Sequence, residues 1–341
     1  VLASFLLATI FGAQTPTWSS LEEPYRYQHL DFSQVHETPL PSGGRLFSFP
    51  SPSGDTVYGT LVEPSGARNA PCAILLHGLG ESKNGMIQRF GTALLAKGIA
   101  YAAIDAPGHG ERATPADKKI QQEIGTVFLT TPEKGDLLRS IVHSPYRDDL
   151  VGYLSRAVIG GIIDNRHVLD YVTSRKEIDH HHIFLVGNSM GSIMSAILGS
   201  FDSRPAGAVL LVGGDPVLPL LAQLSESEQK LALITCCSYY APKWTHPVQM
   251  LNGTKDTVMP RAAADRLFNA FPEKWRGISW YNSDHFLPGL ATEETAGWIA
   301  MRSALANGGQ AKVTGRERIS RAQPSLDVLG FPAVRLSFQL H

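Results

Sequence analysis

The chain has 341 residues, 43% of them hydrophobic and 18% charged, which is enough apolar material for one large α/β core or two smaller ones. A formal net charge of −1, with the basic residues scattered, supplies no field to recruit nucleic acid or an anionic membrane surface. Three cysteines make no disulfide framework: Cys236 and Cys237 are adjacent, Cys72 opens an apolar run, and all three are read as free thiols.

The chain opens on an apolar run, residues 1–12, leading into Ala13-Gln14-Thr15-Pro16. It resembles a secretory h-region but lacks a basic start, and Phe11 stands where a small residue normally precedes cleavage. The run is too short to cross a bilayer, so no stable membrane span is expected. Residues 1–23 are therefore read as an apolar leader or as an N-terminal helix docked on an apolar groove. A leader implies a secreted or periplasmic protein; without one the protein is cytoplasmic.

Residues 46–49 and 56–62, separated by Pro50, Pro52 and Ser53-Gly54-Asp55, spell the two strands of an antiparallel hairpin. The pattern then changes. Residues 73–76 form a short buried strand, and Met86, Ile87, Phe90 and Leu94 recur at helical spacing until Gly98. Residues 100–104 give another buried strand, closing on Asp105-Ala106-Pro107-Gly108. A helix over 157–172 leads into the apolar run 182–186, a small-residue helix follows over 192–198, and residues 208–212, 247–251 and 277–281 supply three more strands. Strands alternating with helices predict a mostly parallel central sheet with antiparallel N-terminal strands and helices on both faces.

Two long stretches, 111–156 and 214–245, interrupt this alternation where strands end, and are expected to be lid-like insertions over the site. The core domain is expected over residues 24–306. Residues 307–341 form a C-terminal tail, in which Val334, Leu336, Phe338 and Leu340 alternate with polar residues in a strand-like period.

The strongest chemical signal is Gly187-Asn188-Ser189-Met190-Gly191, directly after the strand 182–186. A strand that turns sharply into a helix at a serine needs minimal side chains two residues to either side, and the turn lifts the Ser189 hydroxyl above the sheet edge. A serine hydroxyl needs a base held by a carboxylate. His285, in Asn282-Ser283-Asp284-His285-Phe286, follows the last strand, and Asp256, in the loop that ends at Pro260, follows the strand before it. The order Ser189, Asp256, His285 is the one a nucleophile elbow on such a sheet requires. Asp215, after the strand 208–212, is the rival acid; Asp284 is too close to His285 in sequence to hold it easily.

A developing oxyanion needs preorganised donors. The glycines of His77-Gly78-Leu79-Gly80 let the backbone curl until the Leu79 N–H faces that of Met190, and these two form the expected oxyanion hole. His77 itself reads as a hydrogen-bonded structural residue. Successive residues of His180-His181-His182 point to alternate faces of a strand, so no metal site is expected there. The turn Ala106-Pro107-Gly108-His109-Gly110 lacks the spacing of a nucleotide loop. Tyr239, Tyr240 and Trp244 in the second insertion are candidate pocket aromatics, with core packing as the equal alternative.

As an ordered set over about residues 45–306, these motifs resemble the α/β-hydrolase superfamily. Within it, the long segment after Glu111 looks most like the acetyl-ester and dienelactone-hydrolase-like esterases. The dienelactone group proper has a cysteine where this chain has Ser189, and the hormone-sensitive-lipase-like group has a third glycine at Leu79. The resemblance implies an α/β-hydrolase fold and a serine carboxylic-ester hydrolase acting on small to medium esters through an acyl-enzyme, with no cofactor or metal. A peptidase or acyltransferase would use the same residues, and a ligand-binding relative would have lost them. The expected partner is a small-molecule ester; the oligomeric state is left open.

Overall fold

The computed structural model describes residues 16–41, 43–130 and 147–306. Nine strands form a single sheet: β1 (His36–Pro39), β2 (Arg45–Pro50), β3 (Thr56–Val62), β4 (Ala70–Leu76), β5 (Ala100–Ile104), β6 (Ile178–Asn188), β7 (Pro205–Leu211), β8 (Val248–Gly253) and β9 (Arg276–Tyr281). Their spatial order is β1-β2-β3-β5-β4-β6-β7-β8-β9. The pairs β1–β2, β2–β3 and β3–β5 are antiparallel, and every pair from β5 to β9 is parallel.

The chain leaves β4 toward β5 on one side and returns on the other side as β6. That reversal opens a crevice at the carboxyl ends of β4 and β6, where open α/β sheets place their ligands. Leu76 pairs with Gly187 there, so the two segments that carry His77-Gly78-Leu79 and Ser189 leave the sheet side by side.

Buried strands explain the continuous apolar runs. Both faces of β4 are covered: Ile74 and Leu76 pack in one cluster with Val168, Leu169, Ile193 and Ile197, while Ala73 and Leu75 pack in the other with Met86, Phe90, Leu94 and Ile299. The helices concerned are α2 (Lys83–Ala96), α4 (Arg147–Thr173), α5 (Met190–Phe201) and α8 (Gly289–Ala306). By contrast β2 and β3 alternate, burying Phe47, Phe49, Val57 and Leu61 and exposing Leu46 and Tyr58, as one-sided antiparallel strands do.

Of the expected N-terminal segment, residues 1–15 lie outside the described residues, as does the tail 307–341. Trp18–Glu22 form the short helix α1, capped by the Thr17 side chain. Tyr25 behind it is fully buried, stacks on Phe201 at 5.4 Å and donates its O–H to the Ile234 carbonyl at 2.5 Å. Among the described residues no helix is long and apolar enough to cross a membrane.

The first insertion contains α3 (Pro115–Thr130) and the beginning of α4, which starts ten residues before the point its apolar periodicity suggests. Residues 131–146 are outside the described set. The second insertion contains a 3-10 turn over Leu218–Gln223 and α6 (Glu226–Thr235), which starts at a reciprocal capping box between Ser225 and Glu228. The helix α7 (Arg261–Ala270) then links β8 to β9.

Candidate active site

Ser189 adopts φ +53°, ψ −112°, a backbone conformation costly for a residue with a side chain. Its neighbours make that conformation reachable. A Cβ on Gly187 would lie 2.2 Å from the Gly191 carbonyl oxygen, and one on Gly191 would lie 2.0 Å from the Leu76 carbonyl oxygen, so β4, β6 and α5 close on the serine only with glycine at both places. The Ser189 N–H is used by the Leu211 carbonyl at 2.9 Å, which anchors the turn to β7. The hydroxyl is left at the amino end of α5.

Asp256 and His285 arrive on loops after β8 and β9. The loops are tied together by the Thr254 N–H on the Tyr281 carbonyl at 2.8 Å and the Lys255 N–H on the Ser283 carbonyl at 2.9 Å. Oδ1 of Asp256 accepts the N–H groups of Val258 and Met259, both at 2.8 Å, so the carboxylate is fixed by its own loop. Its other oxygen, Oδ2, stands 2.8 Å from Nδ1 of His285, and Nε2 of the same ring stands 3.0 Å from Oγ of Ser189. A carboxylate can only accept, so the proton lies on Nδ1 and Nε2 is free to receive the serine hydroxyl hydrogen. The structure thus brings all three residues together.

Asp215 is placed elsewhere. It is fully buried, and its oxygens accept the N–H groups of Val217, Leu218 and Ser238, closing the second insertion. Asp284 turns to the Phe286 N–H at 2.8 Å.

Leu79 lies in the loop that follows β4, and Met190 opens α5 directly after Ser189. As the first residue of α5, Met190 has an N–H with no acceptor a turn earlier in the helix. The tight turn at 78–81 engages the backbone of Gly78 and Glu81 and leaves the Leu79 N–H out of it. The Leu79 side chain packs against the cluster of Ile124 and Tyr153, so the first insertion reaches this loop.

His77 is a buttress. Nδ1 donates to the Gly78 carbonyl at 2.8 Å and Nε2 accepts the Ala106 N–H at 2.9 Å, a pattern that only the neutral ring satisfies, in keeping with burial holding its pKa below the ordinary value. His109, 5.0 Å away ring to ring, is also enclosed. Burial first, and then the neighbouring His77, push its pKa down to about 4. Of the three successive histidines, His180 and His181 lie exposed side by side, whereas His182 is buried with Nδ1 2.6 Å from Asp179.

Two of the candidate pocket aromatics are core residues. Trp244, 1% exposed, donates its indole N–H to the Ala196 carbonyl at 2.7 Å and packs edge-on against Phe271. Tyr240 is fully buried, its hydroxyl within hydrogen-bond distance of the carbonyls of Leu21 at 3.0 Å and Ile234 at 2.9 Å. Their polar atoms are consumed by backbone, which corrects the pocket reading for both. Tyr239 is half-buried beside Leu221 and Cys236. The cysteines are free and buried.

Sequence reasoning missed a buried ion pair that joins α2 to the end of β5. Lys83, buried, donates its backbone N–H to Asp105 at 2.7 Å and its ammonium to Asp105 at 2.9 Å and Glu111 at 3.0 Å. Burial alone would raise the Asp105 carboxyl, but these donors hold it below its ordinary value. Nothing in the local sequence couples residues 22 positions apart.

The model of the alpha/beta hydrolase family matches residues 73–334. The chain belongs to that family. The nine-stranded sheet, antiparallel at its N-terminal edge and parallel beyond, is the family's architecture in this chain. Compared by sequence, no curated protein gives a significant match. Solved structures that resemble it include an acetyl xylan esterase from Paenibacillus sp. R4, with 15% identity over 84% of this chain and 99% of that one, at a TM-score of 0.59. Another is a cold-adapted esterase from an Arctic intertidal metagenomic library, with 21% identity over 82% and 98%, TM-score 0.54. A third is Est1E from Butyrivibrio proteoclasticus with bound ferulic acid, with 13% identity over 73% and 96%, TM-score 0.54. At these identities the likeness is one of fold, and the chemistry has to be argued from the site.

Proposed function

We propose that this hydrolase-family chain is a serine carboxylic-ester hydrolase that works through an acyl-enzyme on small to medium esters. The observation that carries the proposal is the single imidazole of His285 bonded on one side to Asp256 and on the other to Ser189. His285 takes the Ser189 proton through Nε2 as Oγ attacks the ester carbonyl, and Asp256 steadies the imidazolium that forms. The carbonyl oxygen, now negative, is received by the N–H groups of Leu79 and Met190. His285 returns its proton to the departing alcohol as the tetrahedral intermediate collapses. Water, activated by the same imidazole, then releases the carboxylic acid and restores the serine.

The first insertion packs Ile124 and Tyr153 against Leu79, one of the two proposed oxyanion donors, which supports an apolar surround for a modest acyl group. Fold relatives acting on acetyl xylan, and one that binds ferulic acid, favour short acyl and aryl-acyl esters as the first substrates to try. The test is a panel of p-nitrophenyl esters from acetyl to palmitoyl, beside acetylated xylan and a feruloyl ester, with fluorophosphonate labelling of Ser189. Turnover of the short esters together with labelling is the expected result. No turnover of any ester by a folded protein would sink the proposal.

A further inference from the structure

We infer that Glu81 is a positioning residue that sets the spacing between the two halves of the oxyanion hole; the inference rests on the esterase reading above. Its carboxylate oxygen Oε2 accepts the Gly78 N–H at 2.7 Å and an amide hydrogen of the Asn188 side chain at 3.0 Å. Gly78 immediately precedes Leu79, and Asn188 immediately precedes Ser189 and stands two residues before Met190. One oxygen atom therefore holds both backbone segments whose following N–H groups receive the oxyanion.

The arrangement is built to converge. Glu81 closes its own turn by donating its N–H to the Gly78 carbonyl at 3.2 Å, which fixes where its side chain starts. A Cβ on Gly78 would lie 2.9 Å from Oε2 and 3.2 Å from Nδ2 of Asn188, so the two side-chain ends meet against this glycine and a side chain there would push them aside. On its far side, Oδ1 of Asn188 lies 3.5 Å from Nη1 of Arg89 on α2. Glu81 is itself exposed and is not the cap of α2, whose N-cap is Ser82. Solvation alone therefore gives this carboxylate no reason to bind one backbone and one side-chain donor.

The negative charge of Glu81 cannot be what the reaction uses, because a carboxylate near the hole opposes the charge that develops on the substrate oxygen. What it contributes is geometry. Oxyanion donors act at about 2.7–3.1 Å, and a displacement of about 1 Å costs on the order of a hundredfold in rate.

The experiment compares Glu81→Ala, Glu81→Gln and Ser189→Ala in the full chain, measuring kcat and KM on p-nitrophenyl acetate, the melting temperature, and inhibition by an alkyl trifluoromethyl ketone. That ketone adds to the serine hydroxyl and places a real oxyanion in the hole. Glu81→Ala should lower kcat by about 10- to 100-fold with KM changed less than about threefold, and weaken the ketone by a similar factor. Glu81→Gln keeps the accepting oxygen and should recover kcat to within about threefold of the parent. Melting temperatures of both should stay close to the parent, since the residue is exposed. A Glu81→Ala enzyme with parental kcat and ketone affinity, while Ser189→Ala is inactive, would overturn the role of Glu81 and leave the esterase reading standing. Glu81→Gln as impaired as Glu81→Ala would also overturn it, by tying the effect to charge. An active Ser189→Ala enzyme would remove the esterase reading and this inference with it.

Discussion

Ser189 and His285, 96 residues apart in the chain, meet with 3.0 Å between Oγ and Nε2. No helix or strand contains both; the contact exists because β6 and β9 end at the same edge of one sheet. Replacing Ser189 with alanine removes the hydroxyl proposed to attack the ester and leaves the packing of the elbow in place. Ester hydrolysis should fall by a factor of about a thousand or more with little change in melting temperature. Initial rates on p-nitrophenyl acetate, alongside a thermal scan, check this.

Asp256 presents a sharper test of the imidazole's orientation. Asp256→Asn keeps an oxygen for the Val258 and Met259 N–H groups but turns an amide N–H toward Nδ1 of His285. The ring is then driven to carry its hydrogen on Nε2, where it cannot accept from Ser189. We expect kcat to drop by about a thousand- to ten-thousand-fold with KM nearly unchanged. A drop of only a few-fold would mean that another group orients the ring.

Acid should destabilise the protein through His109 before any catalytic question arises. In the unfolded chain an imidazole takes its proton near pH 6.5, whereas in the fold burial and the adjacent His77 push His109 down to about 4. Between those values the unfolded chain binds more protons, so stability is lost as pH falls from about 6.5 to 4 and changes no further, from this group, below 4. The loss amounts to roughly 3 kcal/mol if the whole shift is realised, and His77, depressed for the same reason, adds in the same direction. Urea melts of the parent and His109→Gln at pH 7 and pH 4.5 should show a smaller pH difference in the variant. Equal differences would exclude His109 as the source.

Much of this architecture was legible in the sequence because its signals are local. Apolar runs bounded by turn residues mark β4 to β8, and Gly187 and Gly191 mark the elbow because a Cβ at either would strike backbone. That Asp256 and His285 would meet Ser189 could be read because strand ends put all three on one edge. What could not be read was which side chains meet across elements. Glu81 with Asn188 and Lys83 with Asp105 are pairings made by the sheet, and neither residue type nor spacing announces them. The aromatics of the second insertion left both pocket and core open, because a tryptophan or tyrosine reads the same in either; burial settles Trp244 and Tyr240 as core.

The pair Lys83 and Asp105 should behave as a buried ion pair. Both side chains are almost wholly enclosed, and Asp105 also accepts the Glu111 N–H at 3.2 Å. Lys83→Met leaves the carboxylate without its cation and should cost about 3–5 kcal/mol. Adding Asp105→Asn removes the stranded charge, so the double variant should be less destabilised than the two single changes summed, by about 1–3 kcal/mol. Strict additivity in chemical denaturation would contradict the coupling.

Trp244 separates a core role from a pocket role most cleanly. Its ring is packed against Phe271, and a Cβ on Gly199 would fall 2.3 Å from its edge, so α5 and the second insertion are fitted around it. Trp244→Ala opens a large cavity and strips the Ala196 carbonyl of its indole donor. The expected cost is about 3–5 kcal/mol of stability. Because the ring is enclosed in the core, relative kcat/KM values across acetyl, butyryl and octanoyl esters should keep the same ratios in the variant as in the parent, measured well below its melting temperature. A selective change toward longer acyl chains would restore Trp244 to the pocket, since only a wall of the acyl site can sense chain length.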